Sequence, residues 1–122
     1  MPILNVEIII HPGEHFHPSL ATGLADRTGE IFGSPPGNTW VTVHFTLREN
    51  YAENNSSAEA ILPVFVTVLK NKLPSPDSLT DEVAKLTVVI AQICQRPEEN
   101  VHVIYLPEGA GRVAFGGRLL PK

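Results

Sequence analysis

The sequence predicts an α+β domain in which two tandem β-α-β units form one four-stranded mixed sheet with two helices on a single face. Three observations carry this. Apolar runs rich in β-branched residues alternate with stretches of helical period, in the order strand, helix, strand. That order occurs twice within 122 residues, a length suited to a single domain over 1–122. Breaks of Gly, Pro and Asn separate the runs. Right-handed crossovers in both units then put both helices on the same side of the sheet.

In the first unit, Pro2 to Ile10 is mostly apolar and β-branched, as a buried strand should be. His11-Pro12-Gly13 breaks it. Pro18 suits the first turn of a helix whose apolar positions are Leu20, Leu24, Ile31 and Phe32, and Gly33 suits its end. Gly23 and Gly29 weaken that helix. Ser34-Pro35-Pro36-Gly37-Asn38 is a turn, and Trp40 to Leu47 alternates with Val41, Val43, Phe45 and Leu47 on one face. The polar run from Arg48 to Ser57 joins the units as a surface loop.

In the second unit, Ile61 to Leu69 is a strand with Pro63 near its start, followed by a polar break to Pro76. Ser78 with Asp81 resembles a capping box, ahead of an apolar stripe at Leu79, Val83, Leu86, Ile90 and Ile93. Arg96-Pro97 ends the helix, and Val101, Val103 and Tyr105 alternate in a last long strand. Gly109, Gly111, Gly116 and Gly117 bracket a tail able to form a hairpin. The pseudo-repeats run from about 2 to 48 and from 61 to 117. Pro63 follows Pro2 by 61 residues, which suggests that spacing as the register. The sheet face away from the helices is expected to be largely apolar and covered by another subunit.

Composition narrows the partners. A hydrophobic fraction of 43% with 18% charged residues reads as globular, and a net charge of −4 gives no reason to expect nucleic acid. The single cysteine, Cys94, falls in an apolar helical pattern and reads as a buried thiol in a reducing compartment. The apolar stretch from Ala60 to Leu69 is too short to span a bilayer, and the first residues lack a secretory pattern, so a cytoplasmic location without membrane contact is expected.

Two features could carry chemistry. The first is Pro2. Removal of Met1 would leave a free secondary amine. An α-amino group titrates near pH 7.7–8.0, and an apolar site disfavours its charged form. Such a proline is a base or nucleophile at neutral pH. The second is His11, Glu14, His15 and His17, which could bind a metal or simply form a solvated loop at a helix start. The latter is the preferred reading, and no metal or other cofactor is expected.

A terminal proline on the first strand, two fused β-α-β units and a glycine-rich tail together resemble the tautomerase superfamily. Asn100-Val101-His102-Val103-Ile104, followed by Gly111-Arg112-Val113-Ala114-Phe115-Gly116-Gly117, looks like the end of 4-oxalocrotonate tautomerase. Pro2-Ile3-Leu4, Pro36-Gly37-Asn38-Thr39-Trp40 and Phe65-Val66-Thr67-Val68-Leu69 look closer to malonate semialdehyde decarboxylase. The resemblance implies a catalytic Pro2, a homotrimer, and a small carbonyl or carboxylate substrate. It also implies substrate contacts at Lys70, Lys72, His102, Arg112, Asn38 and Phe115.

The departures are specific. The arginine after the first strand is replaced by the His11-Pro12 neighbourhood. The arginine of the later strand aligns with His102, and the decarboxylases' paired arginines give way to Lys70-Asn71-Lys72. Their aspartate aligns with Asn38. The function expected is that of a tautomerase using Pro2 as general base on a small 2-oxo acid or enol. Two alternatives stand beside it: a non-catalytic interaction protein resembling macrophage migration inhibitory factor, and a decarboxylase or hydratase.

Overall fold

The computed structural model of the chain describes residues 2–57 and 60–122. Met1, whose removal the proline chemistry requires, lies outside them. The elements run β1 (Ile3–Ile10), α1 (Leu20–Phe32), β2 (Trp40–Leu47), β3 (Val64–Leu69), α2 (Pro76–Cys94), β4 (Val101–Tyr105), then a hairpin of β5 (Ala114–Phe115) and β6 (Arg118–Leu119). Single 3₁₀ turns occupy Arg48–Asn50 and Glu98–Asn100.

The main sheet has the order β2-β1-β3-β4. The outer pairs, β1 with β2 and β3 with β4, are parallel, and the central pair is antiparallel. This is the mixed sheet of two β-α-β units joined at their first strands. Leu4, Val6 and Ile8 face Val64, Val66 and Val68 across the central pair, and all six are fully buried. Leu24 of α1 and Leu86 and Ile90 of α2 close over them. Apolar burial on this face is the main source of stability.

Two boundaries differ from expectation. β3 begins at Val64 because Pro63 has no amide hydrogen for the sheet ladder. Its carbonyl instead accepts the Ile9 amide at 3.1 Å. α2 begins three residues before the supposed Ser78 capping box: Ser75 caps it, its hydroxyl accepting the Ser78 amide, and Pro76 fills the first helical position.

The internal register also differs. α1 ends in Gly33 and α2 in Gln95, each left-handed with φ of 65° and 57°, and these lie 62 residues apart, not 61. An odd offset would map the buried Leu4, Val6 and Ile8 onto residues of the opposite sheet face, because side chains alternate along a strand. The spacing of Pro2 and Pro63 is thus off by one from the structural repeat.

The uncovered sheet face is not largely apolar. Ile3, Ile9, Trp40, Phe65, Leu69 and Ile104 share it with Asn5, Glu7, Thr42, His44, Thr46, Thr67 and His102. The Thr42 hydroxyl donates to the Asn5 side-chain oxygen Oδ1, and Thr46 donates to Glu7 Oε2 at 3.0 Å. β1 reads as an apolar run, but its Asn5 and Glu7 fall on one parity. The apolar excess lies on the helix side.

A candidate active site at the start of β1

The chain reaches Pro2 at the end of the sheet where α1 also finishes. Pro2 is buried, and its carbonyl accepts the Trp40 amide at 3.0 Å, tying it to the start of β2. Antiparallel pairing of β1 with β3 brings the residues following Leu69 to the same end. A pocket of about 250 Å³ opens there, lined by Pro2, Phe32, Gly33, Ser34, Pro35, Lys70, Asn71 and Lys72. Gly33 lets α1 stop short by taking a left-handed conformation, its amide donating to the Glu30 carbonyl. Ser34 is small and spends its hydroxyl accepting from Thr39 at 2.7 Å.

Lys70 is the partly buried cation of this pocket. Its Nζ lies 2.7 Å from Glu82 Oε1, with the two side chains 16% and 12% exposed, and 5.0 Å from the centre of the Phe32 ring. The second Glu82 oxygen accepts the Tyr105 hydroxyl at 2.7 Å. Burial, with the Glu82 carboxylate beside it, pushes the Tyr105 phenol far above its ordinary value, so it remains a donor. Lys72 is exposed at the mouth. The tail braces this loop: Gly109 N–H donates to the Lys70 carbonyl at 2.8 Å, and Leu73 N–H donates to the Glu108 carboxylate at 2.6 Å.

The sequence-predicted residues separate into groups. Pro2, Lys70 and Lys72 share the pocket. Asn38 and Phe115 do not line it; with Ile3, Gly37, Trp40 and Leu120 they line an apolar pocket of about 240 Å³, where the Trp40 and Phe115 rings meet edge to face at 5.3 Å. His102 stands on the uncovered sheet face, its ring 5.5 Å from that of Phe65. Arg112 is exposed and turned onto its own loop, donating to the carbonyls of Glu108 at 3.0 Å and Pro107 at 2.9 Å. Within one chain His102 and Arg112 are not pocket residues, because β4 lies two strands from β1 and the tail turn uses the guanidinium for itself.

Glu82, Tyr105, Phe32 and Ser34 were not singled out from the sequence. Glu82 sits between apolar positions of the α2 stripe, and Tyr105 ends the alternating run of β4. A buried-side charge in such a stripe is the signal that could have drawn attention.

The histidine-rich loop is structural at its glutamate. Arg96 Nη1 and Nη2 donate to the two Glu14 oxygens at 2.8 and 3.0 Å, and this pairing holds the Glu14 carboxyl below its usual range. Arg96 also donates to the carbonyls of Ile9 at 2.9 Å and Leu62 at 3.0 Å. His17 Nδ1 pairs with the Ser19 hydroxyl at 2.7 Å. Glu14 is therefore anchored, not solvated. Among the described residues no group of three or more His, Cys, Asp or Glu is placed to hold a metal. Cys94 is buried, and burial pushes its thiol up to about 11, leaving it uncharged and unreactive at neutral pH. Among the described residues, no helix is long and apolar enough to cross a membrane.

No family model and no curated protein matches the chain in sequence. Solved structures do match in shape. A fused 4-OT described as a symmetric trimer superposes with a TM-score of 0.76 at 13% identity, over 96% of this chain and 94% of that one. Macrophage migration inhibitory factor from Oncomelania hupensis gives 0.75 at 16% identity, over 98% and 81%. A malonate semialdehyde decarboxylase inhibited by 3-bromopropiolate gives 0.68 at 10% identity, over 93% and 88%. The chain has the tautomerase fold, and the superfamily resemblance in its sequence is borne out at the level of architecture.

Proposed function

We propose that this chain is a cofactor-independent tautomerase of the fused, two-unit kind, in which a free Pro2 moves a proton beside the carbonyl of a small 2-oxo acid or arylpyruvate-like enol. The observation that carries this reading is the convergence of Pro2, Lys70 and Lys72 on one pocket. A buried secondary amine is the base that such proton transfer needs near neutral pH. An adjacent ammonium both favours the neutral amine and stabilises charge developing on the enolate oxygen. Lys72, exposed at the mouth, meets the substrate carboxylate as a point charge.

The reaction runs in named roles. The Pro2 nitrogen takes the hydroxyl proton of the enol, or the carbon-bound proton in the reverse direction, and returns it to the other atom. Lys70 faces the oxygen that carries charge between those steps. Nothing else need be exchanged. The direct test is phenylenolpyruvate ketonisation by protein whose mass shows that Met1 is absent. Pro2→Ala should lower kcat/KM at least tenfold, and a chain that retains Met1 should be inactive, since its Pro2 nitrogen is an amide. Equal turnover by all three proteins removes proline from the mechanism.

The absence of a carboxylate among the eight residues lining the pocket argues against the decarboxylase and hydratase alternatives, as does the position of Asn38 in the neighbouring apolar pocket. Malonate semialdehyde decarboxylation faster than ketonisation would reverse that preference. The non-catalytic alternative draws on one observation: Lys70 already has a partner in Glu82.

A homotrimer is the proposed assembly. The trimeric state of fused 4-OT relatives supports it, together with the two unpaired outer edges of the sheet. The apolar sheet face expected from sequence does not, for the reason given above. Light scattering at micromolar concentration should return three times the chain mass, 13.3 kDa each; a stable monomer would overturn this.

A further inference from the structure

We infer that Glu82, backed by Tyr105, is a positioning residue that acts through Lys70, fixing its ammonium in the Pro2 pocket and masking part of its charge. This rests on the proposed tautomerase site. Glu82 lies outside the lining of the pocket, so it cannot touch substrate. Its two oxygens are divided between two neighbours from different elements. Lys70, just past the end of β3, approaches one at 2.7 Å, and Tyr105, the last residue of β4, donates to the other at 2.7 Å. All three are partly buried, with the Lys70 and Glu82 side chains 16% and 12% exposed, so the pairing is less screened than one at the surface. The Phe32 ring holds the other side of the ammonium at 5.0 Å.

Two consequences follow. The lysine is pre-oriented, although its four-carbon stem would otherwise sample many rotamers. It also presents a partly neutralised charge, because a carboxylate stands 2.7 Å behind it. An acidic substrate is then held loosely enough to leave, and a free Pro2 amine meets less positive charge than a bare lysine would give. The charged groups around the pocket are, by element, Lys70 and Lys72 from the loop after β3, Glu82 from α2, and Glu108 from the tail, which is engaged with the Leu73 amide. From α1, Glu30 faces the adjacent depression shared with Ser34 and Pro35.

The two backing residues predict opposite effects. Glu82→Gln keeps an oxygen for Lys70 but removes the masking charge. Binding of phenylpyruvate, followed by calorimetry, should tighten about threefold to tenfold, and KM for phenylenolpyruvate should fall alike. The acid limb of kcat/KM should move to lower pH, since unmasking a cation lowers the pKa of a neighbouring amine. Tyr105→Phe removes a donor that draws charge from Glu82, so binding should weaken, by about twofold. Both effects should disappear in a Lys70→Met background, where Glu82 has nothing to act through.

A Glu82→Gln protein that binds phenylpyruvate equally or more weakly overturns the inference, as does an effect of the same size in the Lys70→Met background. A thermal melt run beside each titration separates folding losses, and Tyr105→Phe, which leaves no charge unpaired, tests the inference should Glu82→Gln fail to fold. Phenylpyruvate binding needs no free proline. If Pro2→Ala leaves ketonisation unchanged, the tautomerase reading falls, while the binding measurements still decide the role of Glu82.

Discussion

The two β-α-β units place comparable ground after each helix at opposite ends of the central strand pair, yet that ground is open after α1 and filled after α2. Ser34 and Arg96 each stand one residue past a left-handed helix cap, 62 residues apart. At the Pro2 end the serine leaves a pocket of about 250 Å³. At the opposite end the Arg96 guanidinium occupies the corresponding ground, bound to the Ile9 and Leu62 carbonyls and to both oxygens of Glu14, with only 6% of its side chain exposed. A duplicated fold thus supplies two comparable sites, and the length of one side chain after each helix decides which becomes a pocket and which a structural tie.

If that contrast is right, the largest effect should come from pulling the plug. Arg96→Met strands the Glu14 carboxylate and two carbonyls, and urea unfolding should show a loss of about 3–5 kcal/mol. A loss below about 1 kcal/mol would mean that Arg96 is a surface residue by function, whatever its burial. Glu14→Gln keeps one hydrogen-bond acceptor and should cost less, about 1–3 kcal/mol.

The same pair sets a pH dependence. The Glu14 carboxyl is held below its ordinary carboxylate value in the folded chain, chiefly by its hydrogen bond from Arg96. The stability it contributes is therefore complete above the unfolded value and is lost as pH falls through the lower, folded value. Denaturation midpoints measured from pH 6 downward should drop more steeply in the natural chain than in Glu14→Gln. Parallel curves would remove the ion pair from the acid response.

Transferring the plug sharpens the contrast from the other side. Ser34→Arg should change stability by less than about 1 kcal/mol, because Ser34 holds only one hydroxyl contact. A neutral plug, Ser34→Met, should fill the pocket without adding charge and weaken phenylpyruvate binding at least tenfold by calorimetry. The smallest effect concerns the helices leading to the two ends. α1 carries Gly23 in its interior with no heavy atom within 4 Å of an added Cβ, whereas α2 has no glycine. Gly23→Ala should stabilise the chain by about 0.4–1 kcal/mol in thermal melts, without altering ligand binding.

Much of this architecture is legible in the amino acids because it depends on local pattern. β2 is bounded as its alternation predicts, and the tail hairpin turns at Gly116-Gly117, both with positive φ. Strand order follows from two crossovers of one hand. The register of the repeat is harder to read, since two prolines 61 residues apart mimic a match that sheet-face parity forbids. The uncovered face is misjudged for a similar reason: a run such as Ile8-Ile9-Ile10 does not announce which of its members faces the helices. The candidate site is legible where chain order alone brings residues together, as with Pro2 and Lys70 across an antiparallel pair. It is illegible where a side chain chooses among partners. Tyr105 and Arg96 have nothing in their neighbours to distinguish them from ordinary members of a strand and a turn, and Glu82 is marked only by its place within the apolar stripe of α2.

Arg96 also has a consequence for the chain as a connected object. It belongs to the second half and grips Ile9 and Glu14 of the first, while β1 and β3 zip the halves along their length. The polypeptide link between the halves has an exposed turn at Asn54-Asn55. Continuity of the backbone there contributes mainly by keeping the halves at high effective concentration. Two separately made fragments divided at that turn should find each other in solution and restore the complete sheet, much as the intact chain does by folding back on itself.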